Sequence, residues 1–307
     1  MAELHLHIEG TLEPALAFEL AARNGVLLPY QDIEALSGAY DFSDLSSFLA
    51  LYYDCMSVLR TARDFQDLAD TYLRRAHADG VVHVEMFFDP LAHLARDIAL
   101  SEVVDGLTAA AATARARDGI TVLLIACFLR DRGPREAMDT LEVLSDFTDQ
   151  VVAVGLDSAE VGYPPEDFAA VFQAAAELGF RKVAHAGEEG PPQYVWQALD
   201  VLGVERVDHG IRCLEDAALV RRLAAGRVPI TVCPLSNVRL RCVDTLVDHP
   251  LPRMLDAGLT VTINSDDPAY FGGYIGDDYH AVQETFHLSH DDLAALSANS
   301  LSASFRP

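Results

Sequence analysis

His5 and His7 lie two residues apart in the segment Glu3-Leu4-His5-Leu6-His7-Ile8. An extended chain turns alternate side chains to opposite faces, so both imidazoles share one face and the leucines take the other. Two neutral imidazoles on one strand can hold a divalent cation, and zinc accepts nitrogen and oxygen ligands together. By itself the pair suits a merely polar strand face equally well. Three further segments change this: His185 in HAGEEG, His209 in DHG and Asp266-Asp267 in NSDDP each close a short β-branched run. His5, His7, His185 and Asp266 suffice for one metal, with water in the remaining position. Such a metal lowers the pKa of its water from about 15.7 to roughly 7, which makes a nucleophile at neutral pH. Glu188, three residues past His185, then stands within reach of whatever the water attacks. His209 is placed to hold that water as a base, and Asp267, beside a ligand, is free to bind substrate. Each also has an ordinary reading: Glu188 as a charge at a helix start, His209 as a satisfied core residue, Asp267 as an N-cap before Pro268.

For these side chains to meet, the elements carrying them must converge. Eight β-branched runs recur, at 2–8, 81–88, 120–129, 151–157, 181–187, 205–210, 228–234 and 259–265, with helical patterns between most of them. Leu12, Leu16 and Leu20 follow Thr11 as N-cap and end at Asn24-Gly25. Phe65, Leu68, Ala69, Tyr72 and Leu73 form a second apolar stripe. Alternating strand and helix gives a parallel sheet, and eight such units in 307 residues predict an α/β chain folded as one (β/α)8 TIM barrel domain over 1–307. In a barrel all strand C-termini open on one face, so four of the eight strands aim metal-competent or acid–base groups at one mouth. The link from 9 to 80 is long enough for extra helices after the first strand, and its aromatic segment LSSFLALYYDCM (45–56) is a candidate lid. Phe48, Leu49, Tyr52 and Tyr53 serve equally to pack those helices together. His77, His249, His287 and His290 fall in helical or loop stretches and read as ordinary solvated residues.

Composition narrows the class. Acidic residues outnumber basic ones 47 to 22, a net charge of −25 that argues against nucleic acid and against an anionic membrane surface as partners. Lys182 is the only lysine, which removes Schiff-base and P-loop lysine chemistry almost everywhere else. No run is long enough to span a membrane, and no basic segment precedes an apolar one at the N-terminus, so the expectation is a soluble cytoplasmic protein. The five cysteines are scattered with no CxxC pair and read as reduced thiols. His83-Val84-Glu85 matches the HxE of cytidine-deaminase zinc sites, but no PCxxC follows it. Gly272-Gly273 is too short to cradle phosphates.

The motifs HLHIEGT (5–11), HAGEEGPP (185–192), DHG (208–210), PLSN (234–237) and NSDDPAYFGGY (264–274) resemble the adenosine deaminase family of metal-dependent amidohydrolase barrels. With FFDP (87–90) and GLDSAEVG (155–162) they are more similar to the adenine deaminase branch. The resemblance implies His5, His7, His185 and Asp266 as ligands of one Zn2+, with Fe2+ or Mn2+ as alternatives. It implies Glu188 as the acid at purine N1, His209 as the residue orienting the water, and Asp267 on the N7 side. Phe48, Leu45 and Tyr52 resemble the lid, Phe88 lies in the FFDP segment beside the pocket, and Ser158 to Glu160 correspond to the approach to N3 and N9. Glu160 is expected to accept the N9 proton that free adenine has and adenosine lacks. The implied reaction is hydrolysis of adenine to hypoxanthine and ammonia in purine salvage, on a small-molecule partner, by a chain that is free to form a homo-oligomer. Adenosine, an N6-substituted adenine or aminodeoxyfutalosine are the other substrates considered, and an inactive purine-binding barrel is the reading outside catalysis. The chain departs from the branch at Leu91-Ala92-His93, Ala159 and Tyr163. It also begins on the first strand and stops at Pro307, so the resemblance implies a barrel shortened at both ends, including its closing helix, and poorly closed.

Overall fold

The computed structural model describes residues 1–42 and 45–306, with the backbone alone for 45–47. Its eight strands are β1 (Ala2–His7), β2 (His83–Phe88), β3 (Thr121–Leu129), β4 (Val151–Asp157), β5 (Arg181–Ala186), β6 (Arg206–His209), β7 (Pro229–Val232) and β8 (Thr260–Ile263). They pair in parallel and in chain order, β1 to β8. The ring closes where the chain just past β8 meets β1: His7 N–H donates to the Asp266 carbonyl at 3.0 Å and Asp266 N–H to the His5 carbonyl at 3.1 Å. The closing bonds therefore run through three of the residues singled out for metal binding.

Between β1 and β2 the chain forms α1 (Pro14–Asn24), α2 (Ile33–Ala39), α3 (Leu45–Met56) and α4 (Ala62–Ala78). Thr11 does not cap α1. It sits in a 3-10 turn with its hydroxyl bonded to the Ile8 carbonyl at 2.7 Å, and α1 starts instead at Pro14, whose ring presets a first-turn geometry. Gly25 ends α1 in the left-handed region at φ 62°, as the Asn-Gly pair predicts. The α4 stripe is buried as read, and a Thr61/Asp64 capping box fixes its start.

The barrel interior is polar at both ends for different reasons. At the N-terminal end of the strands the fully buried Arg206 donates to Glu85 at 2.6 Å and to the Leu4 carbonyl at 3.1 Å. Phe305 closes this end from below, its N–H bonded to Glu85 and the Arg206 guanidinium 4.7 Å from its ring centre. His83 and Glu85 belong to this structural floor, so the HxE match carries no chemistry of a metal site. Barrel floors hold stability residues, and mouths hold reactive ones.

Candidate active site

At the mouth, β1 delivers His5 and His7, β5 delivers His185, β6 delivers His209, and the turn after β8 delivers Asp266 and Asp267. All six are at least nine-tenths buried. His5 Nε2 lies 3.2 Å and His7 Nε2 3.5 Å from Asp266 Oδ1, and His7 Nε2 is 3.1 Å from His185 Nε2. Ligands held about 2.0–2.1 Å from a tetrahedral ion are roughly 3.3 Å apart, so these separations fit a shared cation. His5 Nε2 is buried with no hydrogen-bond partner, as a ligand atom without its ion would be. Burial and the neighbouring imidazoles hold His185 well below the usual histidine range, and burial takes His7 down to about 4, so both are neutral and competent to coordinate. Burial works against His5 and Asp266 as ions, but their mutual attraction outweighs it and raises His5 while lowering Asp266. Behind the ring, Thr231 donates to Asp208 at 2.8 Å and meets His5 Nδ1 at 2.9 Å, while Ser236 Oγ donates to Asp266 Oδ2 at 2.6 Å. Orienting partners of this kind fix ligand geometry.

The ring opens into a cavity. Glu188, Asp267, His209 and Ser158 line it, as do Phe48, Tyr52 and Tyr53 of α3, which place that helix where a lid belongs. The Leu45 side chain lies outside the described residues. Burial first, then the charges of Asp266 and Glu160, push Glu188 well above the usual carboxylate range, which keeps it protonated. Ser158 Oγ, Asp267 Oδ1 and Tyr52 Oη are buried without partners. Such groups are placed to bond a ligand or an ordered water.

Two predicted contacts are placed elsewhere. Phe88 is fully buried in the packing between the barrel and its helices, and it is Phe87 whose ring lies 5.1 Å from those of His5 and His7. Strand parity is the reason: on β2 Glu85 and Phe87 face inward, hence Phe88 faces out. The Glu160 carboxylate accepts from four consecutive backbone N–H groups, those of Gly187, Glu188, Glu189 and Gly190, at 2.6, 3.0, 2.8 and 2.7 Å. It therefore anchors the loop that carries Glu188, and it is not among the residues lining the cavity.

Three groups went unread. Asp89 and Asp157 line the cavity beside His7, and Asp157 lies 3.6 Å from His7 Nδ1. They end β2 and β4, the same signal that marks His185. Burial raises both, so the adjacent pair does not ionise fully. His249, taken as solvated, is 2% exposed and packs behind the site against Asn237.

Comparison with known proteins agrees with this geometry. The sequence profile described as adenosine deaminase matches residues 1–307. The chain is 63% identical over 304 residues to an adenine deaminase of Streptomyces coelicolor, covering 99% of this chain and 89% of that one. It is 54% identical to the adenine deaminase of Sphingopyxis alaskensis, covering 99% and 89%. The crystal structure of adenine deaminase from Arthrobacter aurescens superposes with a TM-score of 0.98 at 55% identity, covering 100% of this chain and 94% of that one. A Zn-bound amidohydrolase from Burkholderia ambifaria superposes at 0.90 with 27% identity, covering 100% and 85%. Among the described residues no helix is long and apolar enough to cross a membrane. With its barrel, its divalent-metal donor set and a profile match along its whole length, the chain belongs to the adenosine deaminase family.

Proposed function

We propose that the chain hydrolyses adenine to hypoxanthine and ammonia with one zinc ion held by His5, His7, His185 and Asp266. The observation that carries this is the convergence of His7, His185 and Asp266, with His5 against Asp266, and of Glu188 and Asp267 on one cavity. A zinc ion held there would supply a water acidified to near neutrality. His209 holds the attacking oxygen close to C6 of the purine. Glu188, protonated by burial, gives its proton to N1 as C6 becomes tetrahedral; N1 keeps it, the proton of the added hydroxyl goes to the amine, which departs as ammonia, and the other proton of the attacking water restores Glu188. Asp267 bonds the N7 side, and Phe48 with Phe271 covers the ring. Ser158, Asp89 and Asp157 line the same cavity, and the 54–63% identity to adenine deaminases favours the free base over adenosine. Glu160 acts as a positioning residue for Glu188. In this reading the enzyme works in the cytoplasm in purine salvage, with its five thiols free.

The test is ammonia release by the zinc-loaded protein on adenine, adenosine and N6-methyladenine, read as relative kcat/KM. Adenine is expected to lead by at least roughly a hundredfold, the order of discrimination that a polar site achieves. Parity with adenosine, or no turnover with zinc bound, overturns the reading.

A further inference from the structure

The hydrogen bonds behind His209 run in one direction. The backbone N–H of Leu251 meets His249 Nδ1 at 3.1 Å, and a backbone amide can only donate. His249 is neutral, since burial takes it down to about 4, so its one proton sits on Nε2. That nitrogen faces Asn237 Oδ1 at 3.2 Å. The Asn237 amide is thereby oriented, and its two N–H bonds point at Glu188 Oε1, 3.2 Å away, and His209 Nδ1, 3.3 Å away. His209 Nδ1 is then an acceptor, which leaves the proton of the neutral ring on Nε2. His5 is wired in the opposite sense. Thr231 spends its hydroxyl proton on Asp208, so it accepts from His5 Nδ1. His7 Nδ1 and His185 Nδ1 lie 3.6 and 3.7 Å from carboxylate oxygens of Asp157 and Asp208, too far for a hydrogen bond. The acceptor at His5 Nδ1 leaves its Nε2 bare, the form that binds metal.

Separation alone does not choose the ligands: the donor atoms within 4.8 Å of one another are those of His5, His185, His209 and Asp266, while His7 groups with Asp266 and Asp267. We infer that His249 and Asn237 are positioning residues that set the tautomer of His209, keep it out of the metal's donor set, and turn its Nε2–H towards the attacking oxygen as a hydrogen-bond donor. The same amide occupies Glu188 Oε1, so the proton destined for the purine is carried on Oε2. The part concerning the purine rests on the deaminase reading, whereas the tautomer does not.

The experiment uses zinc-loaded protein labelled with 15N-histidine, with long-range proton–nitrogen correlation to read each ring's tautomer and the His209 signals identified by their loss in His209→Gln. In the wild type His209 is expected with its proton on Nε2. His249→Leu should lose that single tautomer and lower kcat roughly tenfold to a hundredfold, at the low end of what acid–base positioning contributes, with zinc content and KM for adenine unchanged. His249→Gln should restore both, because its carbonyl accepts from Leu251 and its amide donates to Asn237. Asn237→Asp replaces the donor facing His209 by an acceptor and should move the proton to Nδ1, a result that does not depend on His249→Leu folding. A wild-type His209 protonated on Nδ1 or bound to zinc through Nε2 overturns the inference, as does an unchanged tautomer in Asn237→Asp. The expected tautomers with no turnover of adenine support the relay and refute the deaminase reading.

Discussion

Gly10 follows the metal-binding strand at the point where its backbone touches the turn after β8. A Cβ built there would lie 2.6 Å from the Cα of Asp267, closer than real atoms approach. Glycine is thus required by contact with Asp267, the residue proposed to bind the N7 side of the substrate. Gly10→Ala is expected to displace Asp267 and lower kcat/KM for adenine at least roughly tenfold while zinc stays bound, the loss a misplaced contact produces. Steady-state kinetics with metal analysis checks this, and unchanged kinetics would sink it. Glu188 is the second residue with a sharp expectation. Glu188→Gln should cost about 10² to 10⁴ in kcat, the range for a lost general acid. Its pKa is raised and it works protonated, so wild-type kcat/KM should hold on the acid side and fall as pH rises through that raised value. A profile that instead rises with pH across this limb removes Glu188 from the acid role.

At the scale of elements, one carboxylate ties together two helices of the insertion between β1 and β2. Asp64 accepts from Asn24 at 2.8 Å, from the backbone N–H of Thr61 at 2.9 Å and from Arg23 at 3.0 Å, joining α1 to the start of α4. Burial opposes its charge, but the bonds from Asn24 and Thr61 outweigh burial and lower its pKa. A lowered carboxylate stabilises the fold above its unfolded value, and that contribution is lost as pH falls through the folded one. Asp64→Ala should cost about 1–3 kcal/mol at pH 7, the sum of a lost cap and orphaned donors. Calorimetry should show the gap from wild type narrowing below pH about 4. The elements themselves were legible: each β-branched run became a strand, and parity correctly set His5 and His7 on one face. Parity also held the answer for Phe87 over Phe88, since Glu85 fixes which residues of β2 face inward, but two adjacent phenylalanines hide the choice. Glu160 was misplaced because its partners are backbone N–H groups, which no side-chain pattern records. His249 was hidden for a similar reason: it lies in an irregular connection, and only folding brings it to Asn237.

For the whole molecule, the barrel separates a floor that stabilises from a mouth that reacts, and β6 links them. Arg206 at the floor, Asp208 above it and His209 at the mouth follow one another within four residues, and Arg206 Nε lies 3.7 Å from Asp208. Metal binding should therefore register in global stability. Removing metal leaves His5 Nε2, buried and without a partner, beside the other donors of the ring. Chelation is expected to lower Tm by at least about 5 °C and zinc to restore it, consistent with linkage of a few kcal/mol. A Tm that full chelation does not move would mean the cluster holds no ion. The mouth carries a further cost in its backbone. Ser158, His209 and Asp266 have φ of 69°, 60° and 64°, a conformation that non-glycine residues hold at a penalty of order 1–3 kcal/mol. Glycine at any of the three would relax the chain and remove a working side chain at once. Selection for heat resistance alone should then drift towards glycine at these positions, and the hardiest descendants of this enzyme would be the ones that have stopped working.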